Sequence, residues 1–519
     1  MKTSMNILER NSIDTIILDL DGVITDTASL HEQAWKQTFD ALLQELSQKT
    51  DQPFHPFTHN DYLEHLDGKP RFQGAQDFLH SRDIDLPAGY HDDPSGFYTI
   101  SSIANHKDWL YFQFIDTQGV SVFPDARTML IKWKIQGFKL ALISSSKSCR
   151  YITDRAGLSA VFDTIVDGND LITMKIKGKP HPDMLLYAAE KTGMSYARTA
   201  IIEDAVSGIE AGKKGNFAII IGVARTGSAQ LLLDNGADRV VFSLKELSVQ
   251  PPLRNISEIP SFNGLMEDFF PTIPLKKCTI FLDYDGTLTP IVRRPEDAKL
   301  PSQSKDMLEQ LSKKFTVGII SGRDRTEIQS LVNISSLYYA GNHGFDIAGP
   351  GNCSFIHPSA KIVQPYLSRA ELYISESLSS INGILIERKQ FSIAVHYRLV
   401  NPADVEMIRK ELALICDVIK GLKISSGKKV FELQPDIEWN KGTAVLWLIE
   451  KLYPIASLSP NTTFVYIGDD ITDEDAFREI ADIGISILVG SHGSMTSAKY
   501  HLDSVAQVYN LIEMLLSLK

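Results

Sequence analysis

The sequence predicts an α/β protein of two doubly wound, Rossmann-like domains, each a parallel sheet covered by helices on both faces. Three observations predict it. Apolar strands alternate with amphipathic helical stretches, the pattern of parallel α/β sheets. A strand running into Asp-x-Asp-Gly occurs twice, over Thr15–Thr27 and over Thr279–Thr289. And 519 residues exceed the usual size of one domain.

Each element of the plan recurs in order. The first strand, Thr15-Ile-Ile-Leu-Asp-Leu-Asp-Gly, matches Thr279-Ile-Phe-Leu-Asp-Tyr-Asp-Gly. A second apolar strand ends in serine both times, at Ser144 and Ser321. A third ends in acids, at Glu203-Asp204 and at Gly468-Asp-Asp470. Amphipathic helices are expected over His31–Leu46, Asp306–Lys314 and Ala403–Ile419. The seam falls in a Pro-, Ser- and Asn-rich stretch, Gln250 to Pro274, without sustained periodicity. It reads as a linker with one short helix. The expected domains are therefore residues 1–248 and 275–519, joined by 249–274.

Spacing separates the halves. About 125 residues lie between Asp19 and Ser144, which leaves room for an insert over roughly residues 30 to 120. Only about 38 lie between Asp283 and Ser321, so the second insert falls later, at about 350–435. The first insert reads as helical. The second reads as mixed, because Ile384–Lys389 and Phe391–Arg398 alternate like paired strands and a strand follows at Lys429–Leu433.

Composition excludes several function classes. Net charge is −12 and no basic stripe is present, so nucleic acid is not an expected partner. Cys149, Cys278, Cys353 and Cys416 form no C-x-x-C pair, which argues against a zinc or disulfide framework. The first apolar run, Ile13–Leu20, is short and carries Asp19. It reads as a strand and not as a signal peptide. No stretch reaches the ~20 apolar residues of a membrane span. A cytoplasmic protein without membrane contact is expected, and neither composition nor motif sets its oligomeric state.

The motif acids carry phosphoryl chemistry. Two carboxylates two residues apart, just past a strand, can project into one pocket at the carboxyl end of the sheet. Asp283 can attack phosphorus. Asp285 can protonate the leaving oxygen and then activate water. A dianionic phosphate approaches such a pair only with countercharge, which points to Mg2+ held by few carboxylates. Asp283 and Asp285 with the distal Asp469 and Asp473 are the candidate ligands. Ser321 offers a hydroxyl and Lys441 a positive charge to the phosphoryl oxygens. A calcium loop does not fit. Its sixth position requires glycine, whereas counting from Asp19 or Asp283 puts Ile24 or Leu288 there.

This ordered set resembles the haloacid dehalogenase superfamily over nearly the whole chain. The resemblance implies Mg2+, an aspartate nucleophile, and inserts acting as caps: a helical cap after the first motif in the first domain, a mixed α+β cap after the second motif in the second. The C-terminal half is similar to trehalose-6-phosphate phosphatase through Leu282-Asp-Tyr-Asp-Gly-Thr-Leu288, Ser321-Gly-Arg323, Tyr339–Phe345, Val395–Arg398, Gly427–Glu432, Trp439-Asn-Lys-Gly442 and Gly468–Phe477. That likeness implies hydrolysis of trehalose 6-phosphate in trehalose biosynthesis. It also implies sugar-gripping roles for Glu387, Lys389, Arg398, Asn401, Lys428 and Glu432, with Arg323 near phosphate. The N-terminal half resembles the beta-phosphoglucomutase subgroup through Asp19–Thr27, Ser144, Gly178–Asp183 and Glu203–Gly208. By that resemblance Asp19 is the nucleophile and Asp21 the acid/base. Ser144 and Lys179 hold phosphate, Asp19, Asp21, Glu203 and Asp204 serve Mg2+, and His31 and Arg71 approach the substrate. Its cap segment Asp67–Arg71 departs from the mutase pattern. Mutase action, hydrolysis of a hexose phosphate, and a non-catalytic sensor or scaffold all remain open for this half. Either of the first two could also be the main activity of the chain. Sugar phosphates are the expected small-molecule partners.

Overall fold

The computed structural model describes residues 8, 11–50, 53, 55–66, 71–248, 251–264, 278–292, 294–427 and 429–518. It divides into two compact units, Met1–Lys134 with Phe138–Ser248, and Ile135–Gly137 with Val249–Lys519.

The first unit is a six-stranded sheet: β1 (Thr15–Asp19), β2 (Lys139–Ile143), β3 (Thr164–Val166), β4 (Thr199–Glu203), β5 (Ile219–Val223) and β6 (Arg239–Val241), in the order β3-β2-β1-β4-β5-β6. Every pairing is parallel. All five residues of β1 are buried, as expected of a central strand covered on both faces, and for the same reason its sequence is a continuous apolar run. The register sets Asp19 opposite Ile143 and Leu18 opposite Ile202. Ser144 and Glu203 therefore emerge beside Asp19 at the carboxyl edge. Five helices stand between β1 and β2: α1 (Ala28–Thr50), α2 (His59–His65), α3 (Arg71–Ser81) and α4 (Ile100–Gln118) form the insert, and α5 (Pro124–Gln136) leads back into the sheet. Helices α1–α4 make a body of their own. They share an apolar cluster built on Trp35, Phe39, Phe57, Phe78 and Ile103, with the Phe39 and Phe78 rings 4.1 Å apart. The insert is thus a small helical body with its own core.

The second unit has an eight-stranded sheet in the order β12-β11-β10-β9-β8-β17-β18-β20. Its strands are β8 (Cys278–Leu282), β9 (Thr316–Ile320), β10 (Tyr338–Gly341), β11 (Asp346–Gly349), β12 (Cys353–Ile356), β17 (Thr463–Gly468), β18 (Gly484–Val489) and β20 (Tyr500–Leu502). The pairings are parallel except at β10–β11–β12, an antiparallel extension at one edge. A separate antiparallel sheet, β13-β14-β16-β15, forms the cap from β13 (Leu385–Arg388), β14 (Ile393–His396), β15 (Leu422–Gly427) and β16 (Val430–Pro435). Alternate residues Ile393, Val395 and Leu433 of this sheet pack on helices Gln364–Leu378 and Val405–Val418 through Leu367, Ile374, Ile408 and Leu412. Ile393, Val395 and Leu433 share that face because the side-chain period of a strand is two.

The expected linker differs from what forms. Within it, β7 (Arg254–Asn255) pairs antiparallel with β19 (Met495–Thr496). Short 3-10 turns follow at Ile256–Glu258 and Phe262–Gly264. Phe262 is fully buried in the core of the second unit among Ile280, Ile487 and Leu502. Residues 251–264 therefore belong to that unit, because one aromatic ring finds apolar surface there. Among the described residues no helix is long and apolar enough to cross a membrane.

Candidate active sites

In the second unit the register again gathers the chemistry at one edge of the sheet. Leu282 lies opposite Ile319 and Ile467, so Asp283, Ser321 and Asp469 follow side by side. The Asp283 N–H donates to Ile467 O at 2.9 Å. Helix Lys441–Leu452 begins under an Asn440 cap, whose Oδ1 accepts from Thr443 N at 3.0 Å. This cap holds Lys441 in the first turn, aimed at the acids. Lys441 Nζ is 2.7 Å from both Asp283 Oδ1 and Asp473 Oδ1.

Carboxylate oxygens of Asp283, Asp469 and Asp473 lie within 4.8 Å of one another, and all three residues are buried. Burial drives the Asp283 carboxyl well above the usual carboxylate range; Lys441 opposes this, while Asp473 and Asp469 add to it. Asp473 behaves oppositely. Against its burial, Lys441 and the Tyr466 hydroxyl hold it below its ordinary value. Its Oδ1 accepts from Tyr466 at 2.7 Å, and its Oδ2 accepts from the N–H groups of Asp469 and Asp470, each at 3.0 Å. Three carboxylates facing one ammonium form a hard-oxygen donor set with room for a divalent cation, and Mg2+ fits that chemistry. Gly286 makes this possible. Its φ is +89°, and a Cβ there would stand 2.0 Å from Asp469 Oδ2.

The side chain of Asp285 is not in the acid cluster. Arg323 grips it with two bonds, Nε to Oδ2 at 2.6 Å and Nη2 to Oδ1 at 2.8 Å. Arg323 also pairs with Glu327. Ser321 Oγ accepts from Arg323 N at 3.1 Å. These groups line a cleft between the sheet edge and the cap, which Glu387, Lys389, Arg398 and Glu432 also line. Lys389 Nζ donates to Glu432 Oε1 at 3.1 Å. Arg398 Nη1 donates to Val292 O at 3.0 Å. Asn401 stands outside the cleft: its Oδ1 accepts from Ala403 N at 3.1 Å, capping the turn Pro402–Asp404. Lys428 lies outside the described residues. His343 and His396, which lie in the family-matching segments Tyr339–Phe345 and Val395–Arg398 without an expected role in the site, line the cleft as well.

The first unit repeats the arrangement. Oxygens of Asp19, Glu203 and Asp204 lie within 4.8 Å of one another. Lys179 bridges Asp19 and Glu203, as Lys441 bridges its two acids. Burial and Glu203 raise the Asp204 carboxyl to about 7. Burial likewise raises Asp19 and Asp21. The Asp21 side chain again stands apart from the cluster, taking hydrogen bonds from Thr27 and from Ser144 Oγ, the latter at 3.4 Å. Gly22 (φ +78°) permits the same close approach, with a Cβ position 1.9 Å from Asp204 Oδ2. His31 on α1 stacks on Tyr111 of α4, ring centroids 4.1 Å apart. Its Nδ1 is 2.6 Å from Lys107 Nζ. Burial, then Arg71, brings Lys107 down to about 7. Arg71 pairs with Asp108. Segment 67–70 of the expected cap motif lies outside the described residues. Lys107 and Tyr111, four residues apart on α4, escape a reading of the sequence because only the folded cap brings them to His31.

Comparison with known proteins matches this duplication. Residues 281–506 fit the Trehalose-phosphatase family model, and residues 13–216 fit that of the haloacid dehalogenase-like hydrolases. The trehalose-phosphate phosphatase of Mycobacterium ulcerans is 34% identical over 334 residues, covering 62% of this chain and 83% of that protein. The chain belongs to the trehalose-phosphate phosphatase family. An uncharacterized glycosyl hydrolase of Mycobacterium tuberculosis is 33% identical over 497 residues, covering 95% of this chain. The chain spans only 37% of that relative's length. Among solved structures, the C-terminal domain of trehalose-6-phosphate phosphatase from C. albicans is similar at 23% identity and a TM-score of 0.44, over 50% of this chain and 99% of that one. A putative beta-phosphoglucomutase from Thermotoga maritima is similar at 22% identity and a TM-score of 0.37, over 45% and 97%. For this trehalose-phosphatase family member, the matched region 281–506 contains Asp283, Asp285, Ser321, Lys441, Asp469 and Asp473.

Proposed function

We propose that the second unit hydrolyses trehalose 6-phosphate to trehalose and phosphate through a phospho-aspartate on Asp283. The observation that carries this reading is the cleft itself. A buried acid cluster with Lys441 lies at its floor, and Glu387, Lys389, Arg398 and Glu432 stand at its walls. Charged side chains suit a sugar, since its hydroxyls both donate and accept. The family membership and the M. ulcerans relative support the same substrate.

Mg2+, held by Asp283, Asp469 and Asp473, would supply charge neutralisation at the phosphoryl group. The chain's own residues do the rest. Asp283 attacks phosphorus as the bond to the sugar oxygen breaks, and Asp285 gives that oxygen its proton. Asp285 then takes a proton from water, whose oxygen attacks the phospho-aspartate and releases phosphate. Ser321, Lys441 and Arg323 hold the phosphoryl oxygens, and Asp285 carries its proton once Arg323 leaves it for the phosphate. The net reaction consumes one water and regenerates both carboxyl groups.

The second acid cluster favours a further activity in the first unit, phosphoryl transfer or hydrolysis on a sugar phosphate at Asp19, with Asp21 as acid/base, Ser144 and Lys179 at the phosphate, and His31 and Arg71 toward the substrate. We also assign the chain to the cytoplasm: Cys149, Cys278, Cys353 and Cys416 are free thiols, as suits a reducing compartment. A panel of sugar phosphates assayed for phosphate release with Mg2+ and with EDTA tests the main reading. Trehalose 6-phosphate is expected to be the best substrate, with turnover lost on chelation. A stronger preference for a monosaccharide phosphate would overturn it.

A further inference from the structure

Between β10 and β11 the backbone takes three consecutive left-handed residues: Asn342 (φ 50°), His343 (φ 55°) and Gly344 (φ 95°). Only one is glycine. A side-chain-bearing residue pays conformational free energy there, and such strain persists where the surroundings over-determine it. Here they do. Asn342 N donates to Arg323 O at 2.7 Å and His343 N to Ser321 O at 3.0 Å. Asn342 Nδ2 donates to Asp324 Oδ1 at 2.6 Å. A Cβ on Gly344 would stand 2.2 Å from that of Ala444. The loop that follows the phosphate-side Ser321 thus fixes the turn, and the turn fixes the imidazole.

The imidazole meets the cap. His343 Nε2 is 2.8 Å from Glu432 Oε2 on β16. The other oxygen of Glu432 accepts from Ser392 Oγ at 2.6 Å and Lys389 Nζ at 3.1 Å. Lys389 in turn donates to Gly322 O at 3.0 Å, back on the sheet domain. Two points of the loop 321–324 and its neighbouring turn therefore grip one cap carboxylate, His343 directly and Gly322 through Lys389. Lys389 is the larger charge opposite Glu432. His343 adds to the favourable field at Glu432 and, from its strained turn, fixes the direction of the contact.

We propose that His343 is a positioning residue that latches the cap to the sheet domain. It holds Glu432, and through Glu432 Lys389, at the height above Asp283 where the sugar is gripped. The sugar's identity rests on the trehalose-phosphate reading; the latch rests on the contacts alone.

The test uses the full chain with Mg2+ and two esters, trehalose 6-phosphate and para-nitrophenyl phosphate, which has no sugar hydroxyls. His343→Asn tolerates the left-handed backbone but is too short to reach Glu432. His343→Gln retains a donor that reaches. In His343→Asn, kcat/KM for the sugar ester is expected to fall at least about tenfold more than for the small ester, chiefly through KM. His343→Gln is expected to recover most of that loss. Equal falls on both esters, an unmoved KM, or a Gln variant no better than Asn would each overturn the latch. If the wild-type chain hydrolyses another sugar phosphate but not trehalose 6-phosphate, the trehalose reading fails and the same ratio, read with that sugar, decides the latch. Hydrolysis of the small ester with no sugar phosphate overturns both.

Discussion

Glu432 is buried on the cap, yet burial does not set its charge state. Against that burial, Lys389 and His343 hold its carboxyl well below the usual carboxylate range. An acid with a depressed folded value stabilises the fold above its unfolded value of about 4.5 and loses that contribution as pH falls through the folded one, because the unfolded chain binds the proton first. On acidification from pH 5.5 to 3.5, Tm should therefore drop further in the wild type than in Glu432→Gln, by at least about 2 °C. Parallel acid profiles of the two would contradict the ion-paired assignment. Residues also differ in how far they were legible. Asp283, Asp285, Ser321, Lys441 and Asp469 are readable because each sits in a short segment whose chemistry requires that residue type. The partners of His343 and Lys107 are not, although His343 itself lies in the family-matching segment Tyr339–Phe345. The partner of His343 lies 89 residues away and that of Lys107 lies 76 away, so only the fold reveals either. Asn401 misleads for the opposite reason, since its oxygen is spent on a local turn.

At the scale of elements, both sites depend on one device, a strand that ends in Asp-x-Asp and turns sharply on glycine. In each unit the missing side chain is the space that the distal acid occupies, Asp204 over Gly22 and Asp469 over Gly286. Gly286→Ala places a methyl on Asp469 and strains a backbone at φ +89°. We expect apparent Mg2+ affinity for phosphate release to weaken at least about tenfold, with stability falling by about 1–3 kcal/mol. Magnesium titration of activity reads the first and thermal unfolding the second. Unchanged magnesium dependence would argue that Asp469 can serve from elsewhere. Strands such as β1 and β8 are legible because burial on both faces leaves a continuous apolar run. The stretch 251–264 is not, since its order comes from Phe262 entering a core assembled by residues far along the chain.

The two units repeat one arrangement of strands and acids, with the insert placed at different points. In the first unit the insert follows β1 and is helical; in the second it follows the antiparallel extension and is an α+β layer. Each unit has its own floor of the same kind, an acid cluster bridged by one lysine, so the two sites differ chiefly in their roofs. The second roof presents Glu387, Lys389 and Glu432, whereas the first brings His31, Lys107 and Tyr111 together. Division of labour follows: the proposed nucleophiles, Asp283 and Asp19, should answer to different substrates. The most direct test measures phosphate release from trehalose 6-phosphate by the full chain carrying Asp283→Asn or Asp19→Asn. The account predicts a loss of at least about a thousandfold for Asp283→Asn and near wild-type turnover for Asp19→Asn. Turnover that survives Asp283→Asn and disappears with Asp19→Asn would contradict it.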